Sequence, residues 1–118
     1  MKKIEAIIRK TKFDDVKEAL IAADIEWFSH YDVRGVGKAR QERVYRGVIY
    51  DTSVIERTLI SIVVREKNVA RTVKAIQETA QTGEVGDGRI FVIPIDDAVR
   101  IRTGEHGDLA LYNAEKEK

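Results

Sequence analysis

No cysteine occurs among the 118 residues, so disulfides, thiolate-held iron–sulfur clusters and zinc ribbons are excluded. Histidine is nearly as scarce: His30 and His106 stand too far apart in sequence to read as a ligand pair. A metal site built from protein side chains alone is therefore not expected. An excess of one charge is also missing, because 21 Lys and Arg against 20 Asp and Glu leave only +1. That balance argues against bulk electrostatic capture of nucleic acid. No apolar run approaches the roughly 20 residues needed to span a bilayer. The opening Met1-Lys2-Lys3-Ile4-Glu5 lacks the apolar core of a signal peptide. The expectation is a cytoplasmic protein without membrane insertion. Proline occurs once, at Pro94, where it marks a turn or an edge strand.

What is present describes one soluble globular domain: 43% hydrophobic and 35% charged residues over a length that can bury a real core. Ile4-Glu5-Ala6-Ile7-Ile8-Arg9 is a branched, strand-like run. Phe13, Val16, Ala19, Leu20 and Ala23 then recur at helical spacing, with Asp14 and Asp15 where a helix N-terminus favours negative charge. Fifty-six residues on, the pattern returns. Ile60-Ser61-Ile62-Val63-Val64-Arg65 reads as a strand, followed by Val69, Val73, Ile76 and Ala80 on one helical face, with Asn68 as the expected N-cap.

Each half runs on into another strand, Trp27-Phe28-Ser29-His30-Tyr31-Asp32-Val33 in the first and Arg89-Ile90-Phe91-Val92-Ile93 in the second. Trp27 on that strand reads as a core or subunit-interface residue. Two βαβ halves in succession predict an α+β, ferredoxin-like sandwich, a sheet covered on one face by two helices. Val99-Arg100-Ile101-Arg102-Thr103 alternates and reads as an extra C-terminal edge strand. The domain is expected over 1–112, with 113–118 a charged tail. Between strands 2 and 3, Gly35 to Arg57, lie about twenty residues without clear period, far beyond a usual hairpin loop of about two to five. Loops of that length in compact domains are functional or disordered. This one carries Tyr45, Val48, Ile49 and Tyr50, which an inert linker does not need.

Glycines 83, 86 and 88 surround Asp87 and are followed by Arg89. Glycine permits positive φ and close approach of a ligand, so the cluster reads either as a helix-exit turn or as an anion site. Arg100 and Arg102, two apart in a strand-like run, would share a face and with Arg89 offer three guanidinium forks to phosphates. The loop follows a helix instead of opening one, so a P-loop reading fails on context. Asp96-Asp97 after Pro94 reads as a turn between edge strands, with no orienting partner evident nearby.

Three segments resemble the nitrogen-regulatory PII signalling proteins, and the likeness covers nearly the whole chain. They are the opening Met1-Lys2-Lys3-Ile4-Glu5-Ala6-Ile7-Ile8, the loop segment Tyr45-Arg46-Gly47-Val48-Ile49-Tyr50, and Thr82-Gly83-Glu84-Val85-Gly86-Asp87-Gly88-Arg89-Ile90-Phe91 continued by Arg100-Ile101-Arg102-Thr103-Gly104-Glu105. The resemblance implies a homotrimer with ATP or ADP sites in the clefts between subunits. It also implies a long T-loop, here about 36–54, that docks onto an ammonium channel or a nitrogen-metabolism enzyme. Mg²⁺ with ATP and 2-oxoglutarate are the further ligands it implies, and no catalytic turnover as the main role.

Carried over by position, Gly35, Gly37 and Lys38 match the base of the T-loop beside the phosphates. Gly86, Asp87, Gly88 and Arg89 match the loop facing nucleotide, and Arg100 and Arg102 the pair reaching phosphate across the subunit boundary. Ile7, Ser29 and Val63 match the adenine and ribose pocket. The chain departs from the family in two places. Ala39 stands nearest the glutamine that helps to hold Mg²⁺ and 2-oxoglutarate, leaving Gln41, two residues on, as the candidate for that role. Arg57 replaces a lysine, keeping charge but changing geometry. Tyr50 occupies the place of a tyrosine that some members have nucleotidylated, and reads either as that site or as an unmodified docking aromatic. Two alternatives stay open: a PII-like nucleotide sensor with a non-nitrogen target, and a ferredoxin-like nucleotide-processing enzyme, for which His106 is the available nucleophile.

Overall fold

A computed structural model describes residues 1–25, 27–36, 42–45, 48–51 and 54–112, with the backbone alone for 42–45 and 48–51. Strand β1 (Lys2–Ile8) leads through a short 3-10 turn into helix α1 (Phe13–Ala22) and strand β2 (Ser29–Val36). A two-stranded ribbon follows, β3 (Glu42–Tyr45) against β4 (Val48–Asp51). Then come β5 (Val54–Val64), α2 (Glu66–Ala80) and β6 (Arg89–Pro94). The four long strands form one sheet in the order β2-β5-β1-β6, each neighbour antiparallel. This is the ferredoxin-like α+β arrangement anticipated from the duplicated βαβ pattern.

Alternation along the central strands decides which face is covered. Ile4, Ala6 and Ile8 of β1 and Thr58, Ile60, Ile62 and Val64 of β5 are buried, and they pack with Val16, Leu20, Ile76 and Ala80 from the helices. Thr72, fully buried on α2, keeps its hydroxyl satisfied by donating to the Asn68 carbonyl at 2.7 Å. Among the described residues no α-helix covers the opposite face. Register places Lys3, Val63 and Ile93 in one row, Glu5, Ser61, Ser29 and Phe91 in the next, then Ile7, Leu59, Tyr31 and Arg89. Phe91 and Tyr31 are 43% and 51% exposed there.

Helix α1 stops on a left-handed residue, Asp24 at φ 64°, with Ile25 N–H donating back to the Leu20 carbonyl at 2.8 Å and Asp24 N–H to that of Ile21 at 3.0 Å. Buried Ile25 beside Leu20 completes this Schellman-type exit. Trp27 lies beyond that exit but ahead of the ladder, which begins at Ser29 opposite Ser61. It is therefore not a strand residue, and it is 84% exposed on the protomer. Asn68 is not the cap of α2 either. Strand β5 runs to Val64 and extended Arg65 takes the cap position, so Asn68 sits in the first turn with its N–H on the Arg65 carbonyl.

Two further expectations change. The long connection is partly regular: β2 and β5 pair out to Val36 opposite Val54, and Glu42 to Tyr45 pair with Asp51 to Val48. The described residues of this long connection are therefore extended strand or ribbon. The extra C-terminal edge strand is not formed. Arg100 N–H donates to the Glu105 carbonyl at 2.9 Å and Gly104 N–H to the Arg100 carbonyl at 2.7 Å, so backbone groups an edge strand needs are spent inside a turn. A single bridge, Val99 with His106, closes it. The tail 113–118 lies outside the described residues.

Candidate functional site

The loop from Thr82 to Gly88 is organised by one carboxylate. Asp87 accepts from the Thr82 N–H at 2.8 Å, the Gly83 N–H at 2.9 Å, the Thr82 hydroxyl, and Arg9 Nε at 3.2 Å. These donors, the Thr82 hydroxyl foremost, hold its carboxyl well below the ordinary carboxylate range. Gly83, Gly86 and Gly88 adopt φ of 88°, 101° and 100°, the left-handed region that only glycine enters cheaply. Gly88 also has no room for a side chain, and Gly86 is crowded only by side-chain ends. A Cβ on Gly88 would meet the Ile7 carbonyl oxygen at 1.7 Å, and one on Gly86 would lie 3.3 Å from an Nη2 of both Arg9 and Arg57.

Arg9, just past β1, and Arg57, on β5, therefore converge on Gly86. Arg9 also donates to the Val85 carbonyl at 3.1 Å, and Arg57 to the carbonyls of Gly86 at 3.1 Å and Glu56 at 3.0 Å. Burial and the neighbouring Arg9 charge both press the Arg57 pKa downward, although a guanidinium stays charged at neutral pH. Asp87 pairs with Arg9, while Arg57 donates to the carbonyls of Glu56 and Gly86. Two guanidinium groups, upturned glycine backbone and one committed carboxylate leave net positive charge, which suits an anionic ligand.

Arg9 was not singled out by the motif reading. The signal was in the register: Ile8 faces Thr58, so the next residue along comes opposite Arg57 on the helix-free side. The role of the Thr82 hydroxyl is not legible in the sequence because its partner, Asp87, lies across a turn.

The other candidate positions are distributed. Ile7, Ser29 and Val63 all lie on the helix-free face, but Val63 is opposite Lys3, about 13 Å along β1 from Ile7 at strand rise. Within one protomer they do not enclose a single pocket. Arg89 begins β6 opposite Ile7 and is exposed, and Gly35 sits in β2 opposite Ile55. Arg100 and Arg102 do not share a strand face, because Arg102 falls in the turn after Arg100. Arg100 is bound within its own chain, to Glu105 Oε1 at 3.1 Å and to the carbonyls of Leu109 at 2.9 Å and Tyr112. Tyr50 lies on β4 opposite Arg43, while Gly37, Lys38, Ala39 and Gln41 fall outside the described residues. Asp97 does have a partner: His106 Nδ1 lies 2.8 Å from its Oδ2, and its Oδ1 accepts from Ala98 and Gly107 N–H. Among the described residues no cluster of His, Asp and Glu fits a metal ion, and no helix is long and apolar enough to cross a membrane.

The family model "Nitrogen regulatory protein P-II" matches residues 1–105. Nitrogen regulatory protein P-II 1 of Methanothermobacter thermautotrophicus is 48% identical over 108 residues, covering 91% of this chain and 94% of that protein. Nitrogen regulatory protein P-II of Synechocystis is 47% identical over 106 residues, 89% and 95% of the two chains. Its counterpart in Azospirillum brasilense is 43% identical over 112 residues, 94% and 100%. The chain belongs to the nitrogen regulatory protein P-II family of signal transducers.

Proposed function

We propose that this signal transducer works as a homotrimer that binds ATP or ADP between protomers and regulates nitrogen-metabolism targets through its T-loop, 36–54. The observation that carries the reading is the meeting of Arg9 and Arg57 at Gly86, where side-chain-free backbone and two guanidinium forks face the same space. Phosphates are the ligands such a cradle suits. The apolar residues of the helix-free face supply both the base-stacking surface and the protomer contacts. Arg57 sits on β5 three residues beyond Val54, where the ladder with β2 ends, so phosphate at its guanidinium adjoins the root of the T-loop. Occupancy there biases the loop's docked and retracted populations, which is how an effector becomes a signal to an ammonium channel or a glutamine-synthetase control enzyme.

Mg²⁺ and 2-oxoglutarate join ATP at the same root, with Gln41 as the side chain that holds them. Tyr50 serves as a docking aromatic of the loop. The protein acts by contact and not by turnover. Calorimetric titration of the purified chain with ATP and ADP, with and without Mg²⁺ and 2-oxoglutarate, tests the proposal. Saturable heat for both nucleotides is expected, with Arg57→Ala weakening ATP about tenfold or more. Rapid multiple-turnover ATP hydrolysis would favour the enzyme alternative instead.

A further inference from the structure

We propose that Lys10 is a positioning residue of the signalling step: its ammonium straps together the two strands that carry the T-loop and relays the state of the Arg9–Arg57 cradle to them. The proposal rests on the nucleotide reading above. Lys10 Nζ lies 3.2 Å from Glu56 Oε2 and 3.6 Å from Asp32 Oδ2, so one cation joins β5 to β2. Both carboxylates stand close to where the β2–β5 ladder ends, at Val36 opposite Val54. β2 is an edge strand, laddered among the described residues to β5 alone. Its second tether comes from the 3-10 turn Lys10–Lys12 after β1, which reaches past β5 on the helix side. Phe13, next after that turn, packs on His30 of β2 with ring centroids 4.4 Å apart, and Lys10 takes Asp32 two residues on.

The strap and the cradle share their backbone. Strand side chains alternate between faces, and Asp32 and Glu56 have the parity of buried Thr58, whereas Arg57 points to the helix-free side. Arg9 and Lys10 divide in the same way: Arg9 goes to Asp87 and Val85 in the glycine loop, Lys10 to Glu56 and Asp32. Two consecutive pairs, Arg9-Lys10 and Glu56-Arg57, thus each place one side chain in the cradle and its neighbour in the strap. A polyphosphate that draws Arg9 and Arg57 together shifts both peptide steps, and the Lys10–Glu56 contact moves with them. The hydrogen bond to Glu56, foremost, raises the Lys10 pKa, so the ammonium stays charged at neutral pH. The three side chains are 40% to 77% exposed, where an ion pair adds little to global stability. Its effect is local, on the edge strand that enters the T-loop.

Amide exchange and ATP titration on the full-length wild-type chain, Lys10→Met and Lys10→Arg test the strap. Without nucleotide, Lys10→Met should exchange about threefold faster across 33–36, with 60–64 and the melting temperature nearly unchanged. Mg²⁺-ATP should slow exchange across 33–36 and 54–57 in wild type. Lys10→Met should bind ATP within about twofold of wild type yet lose most of that protection. Lys10→Arg, which keeps the charge and the reach, should recover it. Protection in Lys10→Met equal to wild type, or a parallel collapse of its ATP affinity, overturns the strap while leaving the nucleotide site standing. A wild-type chain that takes up no ATP overturns both.

Discussion

Gly88 passes so close to β1 that a Cβ on it would stand 1.7 Å from the carbonyl oxygen of Ile7. Nothing larger than hydrogen fits without moving the central strand of the sheet. Gly83, at φ 88° in the same loop, has nothing within 4 Å of its would-be Cβ. The two glycines thus separate conformational strain from steric exclusion. Gly83→Ala should cost only the left-handed penalty, about 1 to 2 kcal/mol. Gly88→Ala should cost more, at least about 3 kcal/mol once the displaced strand is included. Denaturant melts of the two variants read the difference, and equal losses would contradict the packing described.

Asp87 ties Thr82, Gly83 and Arg9 together, so its charge is part of the loop's structure. Its pKa is lowered in the folded state, so its contribution is fully present above the unfolded value, about 3.9. That contribution is lost as pH falls through the folded value. Asp97, lowered mainly by His106, follows the same sign. The melting-temperature difference between wild type and Asp87→Asn should therefore be constant near neutrality and shrink below about pH 4. A difference that grows on acidification would refute the assignment.

The helix-free face carries Phe91, Tyr31, Leu59 and Ile7 in adjoining positions. Under the proposed function this face is covered by the other protomers. Phe91→Asp should convert the assembly to monomer in light scattering, with ATP affinity falling in parallel because each site is shared between chains. Retention of the trimer with full affinity would place the contact elsewhere.

Most of the fold was legible because its periods are unambiguous. The alternation of Ile4, Ala6 and Ile8 and of Ile60, Ile62 and Val64 matches the buried face, and Val16, Leu20 and Ile76 fall on the helical stripes. The misreadings occur where local pattern competes with a turn. Val99-Arg100-Ile101-Arg102-Thr103 alternates like a strand, yet Gly104 lets the chain fold back and Arg100 spends its N–H on Glu105. Trp27 has strand propensity but falls outside the register that begins at Ser29. Of the site, the glycine loop was visible from composition. Arg9 was not, because its significance depends on which strand lies beside β1 and in what register.

The register also yields a prediction about Arg57. Lysine keeps the charge but loses the fork, which here spans the carbonyls of Glu56 and Gly86. Arg57→Lys should leave melting temperature nearly unchanged and weaken ATP by less than Arg57→Ala, about threefold against tenfold. Calorimetry on the two variants gives the order, and equal affinity in both would remove Arg57 from the site.

The most direct test of the nucleotide-binding trimer is one titration of the purified 13.4 kDa chain with Mg²⁺-ATP, its mass followed by light scattering. The account predicts a particle three times the chain mass that takes up one ATP per protomer. A monomer that gives no heat with ATP or ADP would contradict it.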